Sequence, residues 1–141
     1  MTPTGNVLAF DYGLRRIGVA IGNPVSATAS ALAPLPARDG VPDWEQVRRL
    51  LTEWAPAVVL VGLPLNMDGT PSAISERASR FARRLYGRFG IRCELVDERL
   101  STFEARERAR SGSGRAALDS IAACIILESW FAGAAGERND G

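Results

Sequence analysis

Two short, uninterrupted apolar runs constrain this chain most: Val7-Leu8-Ala9-Phe10 and Ala57-Val58-Val59-Leu60-Val61. Neither alternates with polar residues, so neither suits a strand with one wet face. Each reads as a strand buried on both sides. A sheet with such strands at its centre needs cover above and below. In a chain of 141 residues that means one domain with helices on both faces. The first run ends on Asp11. An acid directly after four apolar residues is costly near a core. It is either a strand terminus that accepts hydrogen bonds from the turn at Gly13, or a functional group.

The rest of the chain supplies the cover. Residues 17–22 follow the Gly13 turn as a second strand, forming a hairpin with the first. Residues 27–35 read as a weaker third strand, ended by Pro34 and Pro36. Asp43, with Gln46 as a capping box, opens a helix whose Trp44, Val47, Leu51 and Trp54 recur at helical spacing. After the 57–61 strand and a polar loop, Thr70-Pro71 is a helix start with proline at the first position. Ile74, Ala78, Phe81, Leu85 and Phe89 form that helix's apolar stripe. Arg77, Arg80, Arg84 and Arg88 fall on another face, a pattern that solvated helix surfaces also show. Residues 91–97 make a fifth strand, and Ser101 with Glu104 caps a short third helix. A last helix runs from about 115 to 131, and the tail from Gly133 is expected to be disordered. The order predicts an α/β fold: a five-stranded mixed sheet with helices on both faces, in one domain spanning 1–132.

Composition excludes several chemistries. There is no histidine, which removes Ser-His-Asp triads, Cys-His dyads and histidine-ligated zinc. All 17 basic residues are arginine, so lysine Schiff bases and P-loop phosphate binding are also excluded. Guanidinium pairs with phosphate in bidentate fashion. The net charge of +1 requires any nucleic-acid surface to come from how the arginines are distributed. Cys93 and Cys124 lie far apart in apolar segments and read as small core residues. No apolar run reaches the roughly 18 residues needed to span a bilayer. Neither a membrane nor a secretory pattern is indicated, so the expected compartment is the cytoplasm.

Acidic residues then stand out. Asp11 ends the first strand, Asp97 and Glu98 end the fifth, and Asp119 lies near the start of the last helix. Sites in open α/β sheets form at the carboxyl ends of strands. Carboxylates that converge there repel one another, and a divalent cation relieves the repulsion. Oxygen-only ligands favour Mg²⁺ or Mn²⁺, ions suited to phosphoryl displacement.

These segments together resemble a known family. Leu8-Ala9-Phe10-Asp11-Tyr12-Gly13 with Arg16-Ile17-Gly18-Val19-Ala20 is similar to the first motif of the bacterial YqgF-type (RuvX-like) family. Val61 to Gly69 resembles its second, Asp97-Glu98-Arg99-Leu100-Ser101-Thr102 its third, and Leu118-Asp119-Ser120-Ile121-Ala122-Ala123 its fourth. The resemblance spans about Val7 to Trp130 and implies a three-layer RNase H-like fold. It implies a metal-dependent nuclease that processes the 5′ end of pre-16S ribosomal RNA. Alternatives are a Holliday junction resolvase and a non-catalytic RNA-binding assembly factor. Carried over by motif, Asp11, Glu98 and Asp119 would be the catalytic and metal-binding carboxylates, holding Mg²⁺ or Mn²⁺. Strand alternation puts Asp97 and Glu98 on opposite faces, and Glu98 has the longer reach. Arg15, Arg16, Arg99 and Arg115 are the candidates for contacts to nucleic acid, in a monomer or a homodimer. The loop Ser111-Gly112-Ser113-Gly114-Arg115 is shorter than the family's usual loop and holds one basic residue.

Overall fold

The computed structural model describes residues 5–98 and 120–139. Six strands form one sheet: β1 (Val7–Asp11), β2 (Arg16–Asn23), β3 (Thr28–Arg38), β4 (Val41–Pro42), β5 (Val58–Leu63) and β6 (Cys93–Asp97). Their order across the sheet is β4-β3-β2-β1-β5-β6. The first four form an antiparallel meander, whereas β5 and β6 run parallel to β1. Helices α1 (Trp44–Trp54) and α2 (Ala73–Phe89) cover one face, and α3 (Ile121–Asn139) covers the other.

The two apolar runs are the middle of this sheet. Val7, Leu8, Ala9 and Phe10 are fully buried, as are Val58 to Val61. Their side chains divide by pleat. Leu8, Phe10, Val59 and Val61 join Val47 of α1 and Ala78, Phe81 and Leu85 of α2. Val7, Ala9, Val58 and Leu60 join Ala123, Ile126 and Leu127 of α3. Phe81 organises the first core, meeting Phe10 edge-on at 5.6 Å and stacking on Trp44 at 5.9 Å.

Several elements differ from the sequence reading. The sheet has six strands, not five, because β4 is a two-residue strand too short to leave a pattern. Asp39 and Gly40, both at positive φ, turn the chain from β3 into it. Strand β3 continues past Pro34 and Pro36 to Arg38. Its outer neighbour pairs only with Ala37 and Arg38, so the prolines forfeit no ladder bond on that side. Helix α2 starts at Ala73, with Ser72 as cap and Ser75 completing the box. Thr70 is instead held in a turn by Asp68, which accepts from its backbone N at 3.0 Å and its hydroxyl at 2.6 Å. Asp43 caps α1 as expected, accepting from Glu45 N at 2.9 Å, but the capping box with Gln46 is not formed: Gln46 N donates to the Asp43 backbone oxygen at 3.0 Å. Helix α3 extends to Asn139, across the segment from Gly133 expected to be a disordered tail. The helix expected after Ser101, the loop 111–115 and the start of the last helix before residue 120 lie outside the described residues.

Candidate active site

The pleat decides which acids meet. Asp11 follows Val7 and Ala9 on the α3 face of β1. Glu98 follows Val96 on the same face, two residues beyond the register partner of Gly62. Asp97, the register partner of Leu63, falls on the other face. The structure brings Asp11 and Glu98 into a side-chain hydrogen bond across β5, which lies between their strands.

Gly62 makes that crossing possible. It is the β5 residue between the two acids on this face, and a Cβ there would stand 2.5 Å from Glu98 Oε1 and 2.5 Å from Ile126 Cδ1. The missing side chain leaves a trough in which the Glu98 carboxylate lies against the sheet, its Oε1 buried. On the other side of Asp11 its register partner is Gly18 of β2, again without a side chain. Two carboxyl groups therefore share a floor of backbone beneath α3.

The electrostatics follow. Burial pushes the Asp11 carboxyl above the ordinary carboxylate value, and the hydrogen bond with Glu98 pulls it part of the way back. A pair of acids in this position needs a shared proton or a cation between them. Oxygen donors of this kind suit a hard divalent ion. Among the described residues no group of three or more acids or cysteines is arranged to hold a metal. Asp119, the third acid expected here, lies outside those residues, as do Arg99 and Arg115.

The residue next to Asp119 is described and firmly held. Ser120 is fully buried. Its hydroxyl donates to Leu32 O at 2.7 Å and accepts from Val19 N at 3.0 Å. It thus bridges β2 and β3 where their register shifts between Ile17 and Val19, satisfying backbone groups that the irregular ladder leaves open. This fixes the entry of α3 to the sheet. Arg15, in the turn after Asp11, and Arg16, which opens β2, are exposed at the same end of the sheet. Arg15 O is tied to Ala37 N at 2.8 Å, so the turn is braced by β3.

The cysteines stay out of this chemistry. Cys93 packs on the α1–α2 side and Cys124 on the α3 side. Burial pushes each thiol up to about 11, with Glu128 adding to the effect at Cys124. Both thiols are protonated near neutral pH, and both are partly buried against the core rather than fully inside it as the sequence suggested.

Sequence reasoning missed Gly62 and Ser120. The first had a signal, since a glycine inside an apolar strand marks close approach. The second had none, because a serine at a helix start is ordinarily a cap.

Residues 5–133 match the RuvX family, described as Holliday junction resolvase. The chain belongs to the RuvX family. A protein of Chromohalobacter salexigens named "Putative pre-16S rRNA nuclease" is 57% identical over 131 residues, covering 89% of this chain and 88% of the other. A Yersinia pestis protein of the same name is 55% identical over 130 residues, covering 89% and 93%. Among solved structures, Thermus thermophilus RuvC in complex with a Holliday junction superposes with a TM-score of 0.58 at 17% identity, covering 94% of this chain and 96% of that one. The yeast mitochondrial Holliday junction resolvase Ydc2 gives 0.56 at 11% identity, covering 99% and 82%. At such identities the likeness establishes the RNase H-like fold, which this RuvX chain shares.

Proposed function

We propose that this RuvX-family chain is a divalent-metal-dependent phosphodiesterase that trims precursor 16S ribosomal RNA at its 5′ end. The observation that carries this is the meeting of Asp11 and Glu98 at the carboxyl edge of the sheet, with the Asp11 carboxyl raised by burial. The relatives named for pre-16S rRNA, at 55–57% identity, support RNA as the substrate.

Asp11 and Glu98, with Asp119, would hold Mg²⁺ or Mn²⁺. Such an ion, when bound, lowers the pKa of a water and offsets charge building on the phosphoryl oxygens. The chain's own contribution is orientation. The bare backbone at Gly62 seats the Glu98 carboxylate beside Asp11, and Gly18 flanks Asp11 on the other side without a side chain. The buried Glu98 carboxylate keeps a fixed position. Arg15 and Arg16, with Arg99 and Arg115, take phosphates flanking the scissile bond.

The family description favours one other reading, cleavage of four-way DNA junctions. A single assay separates them. Purified protein is offered precursor rRNA and a four-way junction with Mg²⁺ or Mn²⁺, with Asp11→Asn as control. The proposal expects metal-dependent cleavage of the RNA. Cleavage of the junction alone supports the second reading, and metal-independent cleavage that survives Asp11→Asn contradicts both.

A further inference from the structure

The arginines of α2 have no part in the site described above. The helix carries Arg77, Arg80, Arg83, Arg84 and Arg88 against one acid, Glu76, a formal +4 in a chain of net +1. It covers the sheet face opposite Asp11 and Glu98. A solvated surface would account for the charge alone, but not for what it encloses.

Between α2 and the β3–β4 turn lies a pocket of about 130 Å³, bordered by Tyr12, Asp39, Gly40, Arg77, Arg80 and Arg84. Its frame is tightly built. Tyr12 packs on Phe81 at 5.2 Å, and its hydroxyl donates to Gly40 O at 3.0 Å. Gly40 has φ +80 and stands so close to Tyr12 that a Cβ would fall 1.8 Å from its hydroxyl oxygen. Arg77 donates to Asp39 O at 2.7 Å and pairs with Asp39 Oδ1 at 3.3 Å. The one acid on the rim is therefore paired with Arg77. Arg80 and Arg84 are exposed and form no ion pair among the described residues. The pocket thus offers two uncommitted guanidiniums over a rigid aromatic floor.

Its place in the fold gives the ligand. Tyr12 is bonded to Asp11, and the two side chains leave the strand end on opposite faces. The carboxylates and this pocket thus lie on opposite faces at the tip of β1, so a polymer crossing that tip can meet both. We propose that the pocket is a second phosphate subsite, in which Arg80 and Arg84 grip a backbone phosphate of the same nucleic-acid strand, away from the scissile bond. This rests on the nuclease reading above and assigns α2 the grip that sets the path of the strand.

The test uses the full chain with Asp11→Asn to prevent cutting. Binding of a single-stranded fragment of precursor rRNA and of a four-way DNA junction is measured across salt concentrations. Arg80→Gln/Arg84→Gln is compared with Arg49→Gln, an exposed arginine of α1, and thermal melts check that each variant folds. The double variant should bind roughly tenfold or more weakly. Its slope of log affinity on log salt should be shallower by about 1, the signature of a lost phosphate contact. Arg49→Gln should match its parent. In the Asp11 background, KM should rise far more than kcat falls. Unchanged affinity and salt slope in the double variant overturn the subsite while leaving the nuclease reading intact. If the parent binds neither probe and the Asp11 protein cuts neither, the nuclease reading falls and the subsite with it.

Discussion

Under the proposed function, Asp11 is the residue on which stability and function oppose one another. Its carboxyl is buried beside that of Glu98, at a cost the metal-free fold must bear. Asp11→Asn removes one of the two charges and keeps the shape. In chelator at neutral pH, the variant should melt at least about 2 °C above wild type in a thermal scan. Added Mg²⁺ should raise the wild-type melting temperature and leave the variant's nearly unchanged. Cleavage should fall by roughly a thousandfold, about 4 kcal/mol in the barrier. The Gly62 position tests the same geometry from below. Gly62→Ala sets a methyl against Glu98 Oε1 and Ile126, so it should cost about 1–3 kcal/mol of stability and lower kcat along with it. Normal kcat in that variant would mean the Glu98 carboxylate need not lie where it does. At the thiols, pKa values near 11 leave little thiolate, so alkylation of native protein at pH 8 should lag far behind that of unfolded protein.

At the scale of elements, α3 depends on one serine. Ser120 serves the buried Val19 N and the part-buried Leu32 O together, and Ser120→Ala leaves both without this partner. Such a loss costs about 1–3 kcal/mol for each group left unsatisfied, read as a drop in the urea midpoint at constant slope. An unchanged midpoint would show that water replaces the hydroxyl there. Elements that announce themselves by composition were legible in advance. The runs at Val7 and Val58 are doubly buried strands because no polar residue interrupts them. The α1 and α2 stripes pack where their spacing places them. Strand alternation alone puts Asp97 and Glu98 on opposite faces without saying which one faces Asp11; the register of β6 on β5 decides for Glu98. What escaped has a physical reason in each case. Strand β4 owes its existence to the Asp39-Gly40 turn and its pairing with Ala37 and Arg38 of β3, not to its own residues. The α2 start moved because Asp68 captured Thr70, leaving the cap to Ser72. Ser120 acts on strands some hundred residues away in sequence, which no local pattern records.

Among the described residues, Asp11 and Glu98 meet under α3 at the carboxyl edge of the sheet, while the arginine-rich α2 covers the other face. With +4 on α2 and +1 overall, the remainder of the chain is net −3. A polyanion is therefore drawn to the α2 side and meets the carboxylates only at the sheet edge, where a cation can offset their repulsion. None of the described helices is long and apolar enough to cross a membrane. The paired acids, the glycine floor between them and the RuvX family membership all bear on one claim, that this edge hydrolyses phosphodiesters with a metal held by Asp11 and Glu98. The most direct measurement is cleavage of end-labelled precursor 16S rRNA by wild-type and Asp11→Asn protein, in Mg²⁺ or Mn²⁺ and in chelator. The account predicts a shortened 5′ end only with wild type and metal together. Equal cleavage by the Asp11→Asn protein, or by wild type in chelator, would contradict it.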